Sequence, residues 1–311
     1  MNNNKIRPER AVVYNEMPPF PQNMLVELTN SCNHQCLFCA YKHMKRPKGF
    51  CNRENMLKII REAYECGTRE IGFYRVGEPF LSSDLEFFVR ECKKIGFEYI
   101  YITTNGALAD KERVYNLWKL GLSSIKFSVD AGKRSTYKIV HGRDDYDIVI
   151  KNLLDLVELK KDGMDLGIFA SFMKLKISEE EVDHFMDIVG NKLDDVEINS
   201  AKEQCGNMPE IVDQLLDRHA RIGKVPCSML FNRLHVTYQG YLNACCLDID
   251  DLLAVADLKK IHIKDAWYSD LFVQLRREHI ANKIGNNMCY NCIYGTMGEA
   301  ILPLNKELVQ H

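Results

Sequence analysis

Three cysteines in eight residues constrain this chain most: Cys32-Asn33-His34-Gln35-Cys36-Leu37-Phe38-Cys39, a C-x3-C-x2-C set directly behind the apolar run Met24-Leu25-Val26-Glu27-Leu28. Structural zinc sites and ordinary electron-transfer iron–sulfur sites are closed by four protein ligands. Three thiolates and no neighbouring fourth therefore imply a metal centre with one position left open for a ligand. The bland alternatives are half a zinc site or three unrelated buried thiols.

The pattern around this loop is repetitive. Short β-rich runs alternate with amphipathic stretches: strands at 24–28, 70–75, 99–103, 124–129, 166–172 and 195–199, and helices near 53–65, 84–95, 111–120, 145–160 and 179–189. Strands that recur about every thirty residues with helices between them are βα units of a parallel sheet. Their crossovers share one hand, so the units curl into an open or closed barrel whose functional residues gather in the loops at the strand ends. On the fourth strand, alternation places Lys126, Ser128 and Asp130 on one face and Ile125, Phe127 and Val129 on the other. The apolar set should meet the outer helices. Ser128 and Asp130 are then lumen residues, with Lys126 deeper, and Lys126 could pair across the lumen with Glu197 of the sixth strand.

Together the triplet and the six units resemble the radical S-adenosylmethionine (radical SAM) superfamily, with its partial (β/α)6 barrel of TIM type. The resemblance implies a [4Fe-4S] cluster on Cys32, Cys36 and Cys39, and S-adenosyl-L-methionine on the fourth iron as the source of a 5′-deoxyadenosyl radical. Phe38 then occupies the aromatic position beside the adenine. Gly77-Glu78-Pro79, at the end of the second strand, resembles the family's Gly-Gly-Glu-Pro loop, which holds the methionine amino group. Val76 stands where the first glycine is expected. Ser128 and Asp130 fall where the family contacts ribose or substrate. His141, in His141-Gly142-Arg143, reads as a surface or capping residue, and Met173-Lys174-Leu175-Lys176 ends the fifth strand with its role open.

The character changes after Cys205, Gly206, Pro209 and an expected helix to about Arg221. Cys227 precedes a hairpin, Leu234–Thr237 and Tyr241–Cys246 around Gln239-Gly240. A charged helix near 269–283 follows, and then Cys289-Tyr290-Asn291-Cys292. This order looks like the SPASM/twitch auxiliary domain, a small α+β unit. The resemblance implies a second [4Fe-4S] cluster on Cys227, Cys245, Cys289 and Cys292. Nineteen residues without cysteine follow Cys292, which fits the short, single-cluster twitch form. Whether Cys245 or its neighbour Cys246 ligates stays open, and a four-cysteine zinc ribbon is the other reading of the set. Cys51, Cys66, Cys92 and Cys205 lack ligand spacing and read as packing residues. The domain expectation is a lead-in at 1–20, a core at 21–222 and an auxiliary domain at 223–311, without room for a separate N-terminal peptide-binding domain.

Composition removes other classes. In 311 residues, 41 Lys+Arg balance 43 Asp+Glu for a net charge of −2, which gives nucleic acid or an anionic membrane little to attract. No apolar run reaches the length of a bilayer span and the N-terminus has no signal-like apolar region. Twelve cysteines in two clusters without a secretory signal point to metal in a reducing cytoplasm. The layout resembles 2-deoxy-scyllo-inosamine dehydrogenase, which implies oxidation of a small polar metabolite (sugar, aminocyclitol or nucleotide-sugar), the second cluster as electron acceptor, and a flavodoxin- or ferredoxin-type reductant. The alternatives are maturation of a peptide or protein, a redox-neutral epimerisation or decarboxylation, and a non-catalytic iron–sulfur or zinc protein.

Overall fold

The computed structural model describes residues 11–217, 223–285, 287–295 and 301–309. Six parallel strands lie in sequence order: β1 (Asn23–Val26), β2 (Glu70–Phe73), β3 (Tyr99–Thr104), β4 (Ser124–Ser128), β5 (Gly167–Lys174) and β6 (Asp195–Ser200). Between them run α1 (Arg53–Glu65), α2 (Leu85–Ile95), α3 (Lys111–Leu120), α4 (Arg134–His141), α5 (Tyr146–Lys161) and α6 (Val182–Val189). Asn52 and Asp110 accept hydrogen bonds from Asn55 and Arg113 N–H at the starts of α1 and α3, and Gly96 and Gly121 end α2 and α3 in left-handed conformation.

Register explains the two faces of the sheet. Met24, Ile71, Ile100 and Ile102, Ile125 and Ile168 are successive partners or next neighbours, all fully buried against the helices. One residue out of phase, Leu25, Gly72, Tyr101 and Ser124 form the lumen row. A Cβ on Gly72 would sit 2.6 Å from the Tyr101 ring, so glycine there makes room for an aromatic floor.

The expected hairpin is present as β7 (Arg233–Val236), entered through the single turn α7 (Met229–Asn232), and β8 (Tyr241–Asn243). It forms no separate sheet. β7 pairs in parallel with β1 on the side opposite β2, β8 and β9 (Ala254–Asp257) follow antiparallel, and one nine-stranded sheet results. The fold is thus the anticipated partial barrel with a C-terminal hairpin region, joined without a break. β9 and α4 were not anticipated: the four residues Ala-Val-Ala-Asp carry little periodicity, and α4 is an eight-residue helix just ahead of α5. The helix expected to reach Arg221 is instead two short 3-10 turns, Gln204–Gly206 and Pro209–Gln214, and residues 218–222 lie outside those described.

The chain closes with α8 (Ile263–Trp267), α9 (Asp270–Ile280) and α10 (Met288–Tyr294). One apolar cluster runs from Met24 through Phe73 and Phe127 to Trp267, Phe272 and Met288. The lead-in docks on this end: Phe20 packs edge-on against Trp267, Tyr268 Oη donates to Pro18 O, and Glu16 pairs with Arg277. Its first ten residues lie outside those described.

Buried charges tie the barrel to the C-terminal region. Arg46, just beyond the cysteine loop, reaches Glu27 Oε1 at 2.8 Å and Asp251 Oδ2 at 2.9 Å, while Arg75 reaches the same two carboxylates at 3.2 and 3.3 Å. Burial alone pushes Glu27 up, but the two guanidinium groups more than offset it and hold the carboxyl at about 2. Removing one partner from such a set leaves an uncompensated buried charge.

Candidate active site and a second thiol chamber

β1 delivers the chain into the cysteine loop, and the end of β2 packs against that exit. A Cβ on Gly77 would lie 2.3 Å from Thr29 O and 2.6 Å from Ser31 O, so the close approach of two backbones requires glycine. Val76, the departure from Gly-Gly, packs against an apolar cluster with Ala40, Met208 and Ile249.

Cys32, Cys36 and Cys39 line an open cavity of about 250 Å³ together with Phe38, Gly77, Glu78, Ser128 and Asp130, so the fold brings eight of the residues singled out from sequence to one wall. Pro79 is absent from that lining and begins the short turn Pro79–Leu81. Glu78 differs from its expected use. Its Oε1 accepts from Phe80 N–H (3.1 Å) and Thr104 Oγ1 (2.8 Å), and its Oε2 accepts from Asn105 N–H (2.8 Å). Most of its acceptor capacity is spent on holding the β2 and β3 loops. Burial pushes this carboxyl up to about 6, with those same hydrogen bonds pulling the other way. Asp130 sits in left-handed conformation (φ 59) beyond β4, and its Oδ1 accepts from Met173 N–H at 2.8 Å.

His141 is a correction. Only 1% exposed, it stacks on Tyr137 (centroids 4.1 Å apart) and directs Nδ1 to His34 Nδ1 at 3.2 Å and Cys36 Sγ at 3.4 Å. Its Nε2 lies 2.9 Å from Val129 O and 3.3 Å from Asp130 Oδ2. Asp145 takes the far nitrogen of His34 at 3.1 Å. Burial first, and then the neighbouring His141, hold His34 down to about 4. His34 lies inside the cysteine motif, yet only its distance from residue 141, closed by the fold, gives it meaning. Asn105 was missed similarly: its Nδ2 donates to Asn33 Oδ1 at 2.8 Å, with Cys32 Sγ 3.9 Å away.

Burial raises the Cys32 thiol to about 12 and moves Cys36 and Cys39 upward as well. Such thiols ionise when a cation supplies the missing charge. The donor set therefore fits a metal cluster, with the cavity in front of it left for another ligand. Toward the edge strand, and half-exposed, Lys126 Nζ meets Glu197 Oε2 at 2.9 Å, with Asn199 Nδ2 on the other Glu197 oxygen and Ser171 Oγ 3.5 Å from Ser128 Oγ.

The second thiol set lies behind the hairpin. Cys227, Cys245, Cys289 and Cys292 line a separate cavity of about 30 Å³ whose other walls include Leu230, Ala244, Leu253 and Met288. Cys289 and Cys292 share one face of α10, and Asn287 accepts from Cys289 N–H to start that helix. A Cβ on Gly223 would lie 2.9 Å from Cys292 Sγ. Cys246 does not line the cavity; it packs with Leu25, Tyr74 and Tyr101 and directs its thiol to Met229 Sδ at 3.7 Å. Cys205, read from sequence as packing, does line it, which corrects that reading; Cys51, Cys66 and Cys92 do not. An apolar wall with clustered thiols fits a metal held entirely by protein.

Residues 26–189 match the radical SAM superfamily model, and residues 227–293 match SPASM, an iron–sulfur cluster-binding domain. Curated relatives include a probable GTP 3′,8-cyclase of Saccharolobus solfataricus, 30% identical over 176 residues, and one of Saccharolobus islandicus, 31% identical over 176 residues. Each match takes in 55% of this chain and 53% of the relative, so the chain spans about half the length of the curated relatives it matches. Similar solved structures include BtrN in complex with AdoMet and 2-DOIA (18% identity, TM-score 0.56, 84% of this chain and 88% of that one). Streptococcus suis SuiB bound to precursor peptide SuiA is another (15% identity, TM-score 0.67, 86% and 68%), as is anSMEcpe with bound AdoMet (13%, 0.64, 91% and 93%). At these identities the structures speak for the fold alone. The chain belongs to the radical SAM superfamily, with a [4Fe-4S] cluster and S-adenosylmethionine as cofactors and a SPASM iron–sulfur domain behind the barrel.

Proposed function

We propose that the protein is a radical SAM oxidoreductase that dehydrogenates a small polar metabolite, a sugar, aminocyclitol or nucleotide-sugar. The observation that carries this is a polar row on one face of β4 to β6: Ser128, which lines the cavity of the cysteine loop, then Ser171, the half-exposed Lys126–Glu197 pair and Asn199, which offer donors and acceptors to hydroxyl and amino groups. When bound, the cluster and S-adenosylmethionine supply a 5′-deoxyadenosyl radical able to take hydrogen from an unactivated carbon.

In this reading Cys32, Cys36 and Cys39 hold the cluster, while Asn105 and the His34–His141 pair fix the loop around them. Gly77 presents backbone to the methionine end, Glu78 keeps the β2 and β3 loops in register for it, and Phe38 lies along the adenine. Ser128 and Asp130 stand at the ribose, and Lys126 with Glu197 orients the substrate. Loss of a hydrogen atom from a carbinol carbon leaves one electron and one hydroxyl proton to remove before a ketone forms. The chamber of Cys227, Cys245, Cys289 and Cys292 is the place in this chain suited to a group that takes that electron. A flavodoxin- or ferredoxin-type protein is the external reductant, and twelve free cysteines suit a cytoplasmic setting.

A second reading is maturation of a peptide or protein; it is supported at the level of fold by the likeness to SuiB with its precursor peptide. Redox-neutral epimerisation or decarboxylation uses the same parts. The test is anaerobic incubation with reductant, S-adenosylmethionine and a panel of polyols and amino sugars, with mass spectrometry for a product two hydrogens lighter. Such a product supports dehydrogenation. Turnover of a peptide with none of the sugars would replace it with maturation.

A further inference from the structure

The SPASM chamber holds one thiol more than a cubane needs. Cys205 comes from the turn behind β6, where Gln204 (φ 53) and Cys205 (φ 61) are both in the left-handed region. That region is unfavourable for residues with side chains, and α10 packs directly against the turn. The backbone so held brings a thiol only 1% exposed into the same cavity as Cys227, Cys245, Cys289 and Cys292. Four thiolates saturate a [4Fe-4S] cluster, so a fifth against the same apolar wall is either a bystander or an exchange partner.

We propose that Cys205 is a reserve ligand of the second cluster, interchangeable with Cys292. The inference rests on the reading that this chamber holds a [4Fe-4S] cluster. Cys292 is the ligand replaced because it stands on α10, the helix packed against the Cys205 turn, and lines the same cavity, while Cys227 and Cys245 come from other segments and Cys289, one turn earlier on that helix, keeps its place. Exchange is balanced in itself: the incoming Cys205 thiol gives its proton to the departing Cys292 thiolate, with no change in the oxidation state of iron or sulfur.

The experiment compares wild type, Cys205→Ala, Cys292→Ala and the double variant, each a full chain reconstituted anaerobically. Iron is counted, and the reduced proteins are examined by electron paramagnetic resonance with S-adenosylmethionine occupying the first cluster, before and after cyanide is added. The expectation is about eight irons and no cyanide response in wild type and in both single variants. The double variant should fall toward about four irons, or keep a second cluster whose spectrum cyanide shifts. Cys292→Ser, closer in volume, repeats the single-variant measurement should the alanine protein misfold. A Cys292 variant that loses iron or responds to cyanide as the double variant does would overturn the exchange. Wild type with about four irons and one zinc would overturn the cluster reading beneath it.

Discussion

The two thiol sites are built in opposite ways. At the barrel mouth, three cysteines come from eight consecutive residues on one loop and face an open cavity of about 250 Å³. Behind the hairpin, the thiols come from segments as far apart as residues 205 and 292 and line about 30 Å³ of apolar space. A local loop can present ligands from one side only, which leaves the other side for an exchangeable partner. A site gathered from distant segments surrounds its contents and, once filled, cross-links those segments. One arrangement suits chemistry, the other containment and clamping.

The strongest way to break this contrast is to empty the mouth. Changing Cys32, Cys36 and Cys39 together to alanine should abolish 5′-deoxyadenosine formation while the second cluster's iron stays, because the sites share no ligand. Persistent S-adenosylmethionine cleavage by that variant would mean that the loop is not where cleavage happens.

Emptying the chamber should act differently. Cys289→Ala with Cys292→Ala should lower the thermal midpoint, because the clamp is gone, yet leave S-adenosylmethionine cleavage measurable and oxidised product scarce. Normal product yield from a folded double variant would make the second cluster purely structural.

A third test cuts the connection between the two sites. Arg46→Ala leaves Arg75 alone against two buried carboxylates, so one negative charge is uncompensated, and should cost about 3–5 kcal/mol by denaturant titration. A loss below about 1 kcal/mol would place the charge cluster among weak surface pairs instead.

Smaller effects sharpen the picture at the mouth. Gly77→Ala forces a methyl into the Thr29–Ser31 backbone, an overpacking cost of about 1–3 kcal/mol. Calorimetric affinity for S-adenosylmethionine should fall about tenfold or more, with iron content unchanged. Smallest of all, Glu197→Gln should leave stability within about 1 kcal/mol, since the pair with Lys126 is half-exposed. Its signature is a raised KM for the metabolite without loss of uncoupled cleavage; an unchanged KM would remove Glu197 from substrate binding.

What could be read from sequence follows the same division between local and distant. The cysteine loop, the six strands and Gly77 were legible because their signals lie within a few residues: ligand spacing, period-two alternation, a glycine at a strand end. Lys126 and Glu197 were placed on lumen faces by alternation alone, and their ion pair forms across 71 positions. His141 and Cys205 were misread because nothing next to them announces their partners. His141 reaches Cys36 across 105 positions, and Cys205 reaches α10 only because a turn of unusual backbone conformation points it there. Glu78 was found, but its hydrogen bonds to Thr104 and Asn105 were not legible, since they come from the neighbouring loop.

β7 lies against β1 in the same sheet, and this bears on timing as well as shape. The cysteine loop leaves from β1, and the hairpin that carries Cys245 begins at β7, its immediate neighbour. Two redox sites mounted on adjacent strands have a spacing set like marks on a ruler. An electron crossing between them would meet the same gap in every turnover, and its transfer would need no swinging arm to wait for.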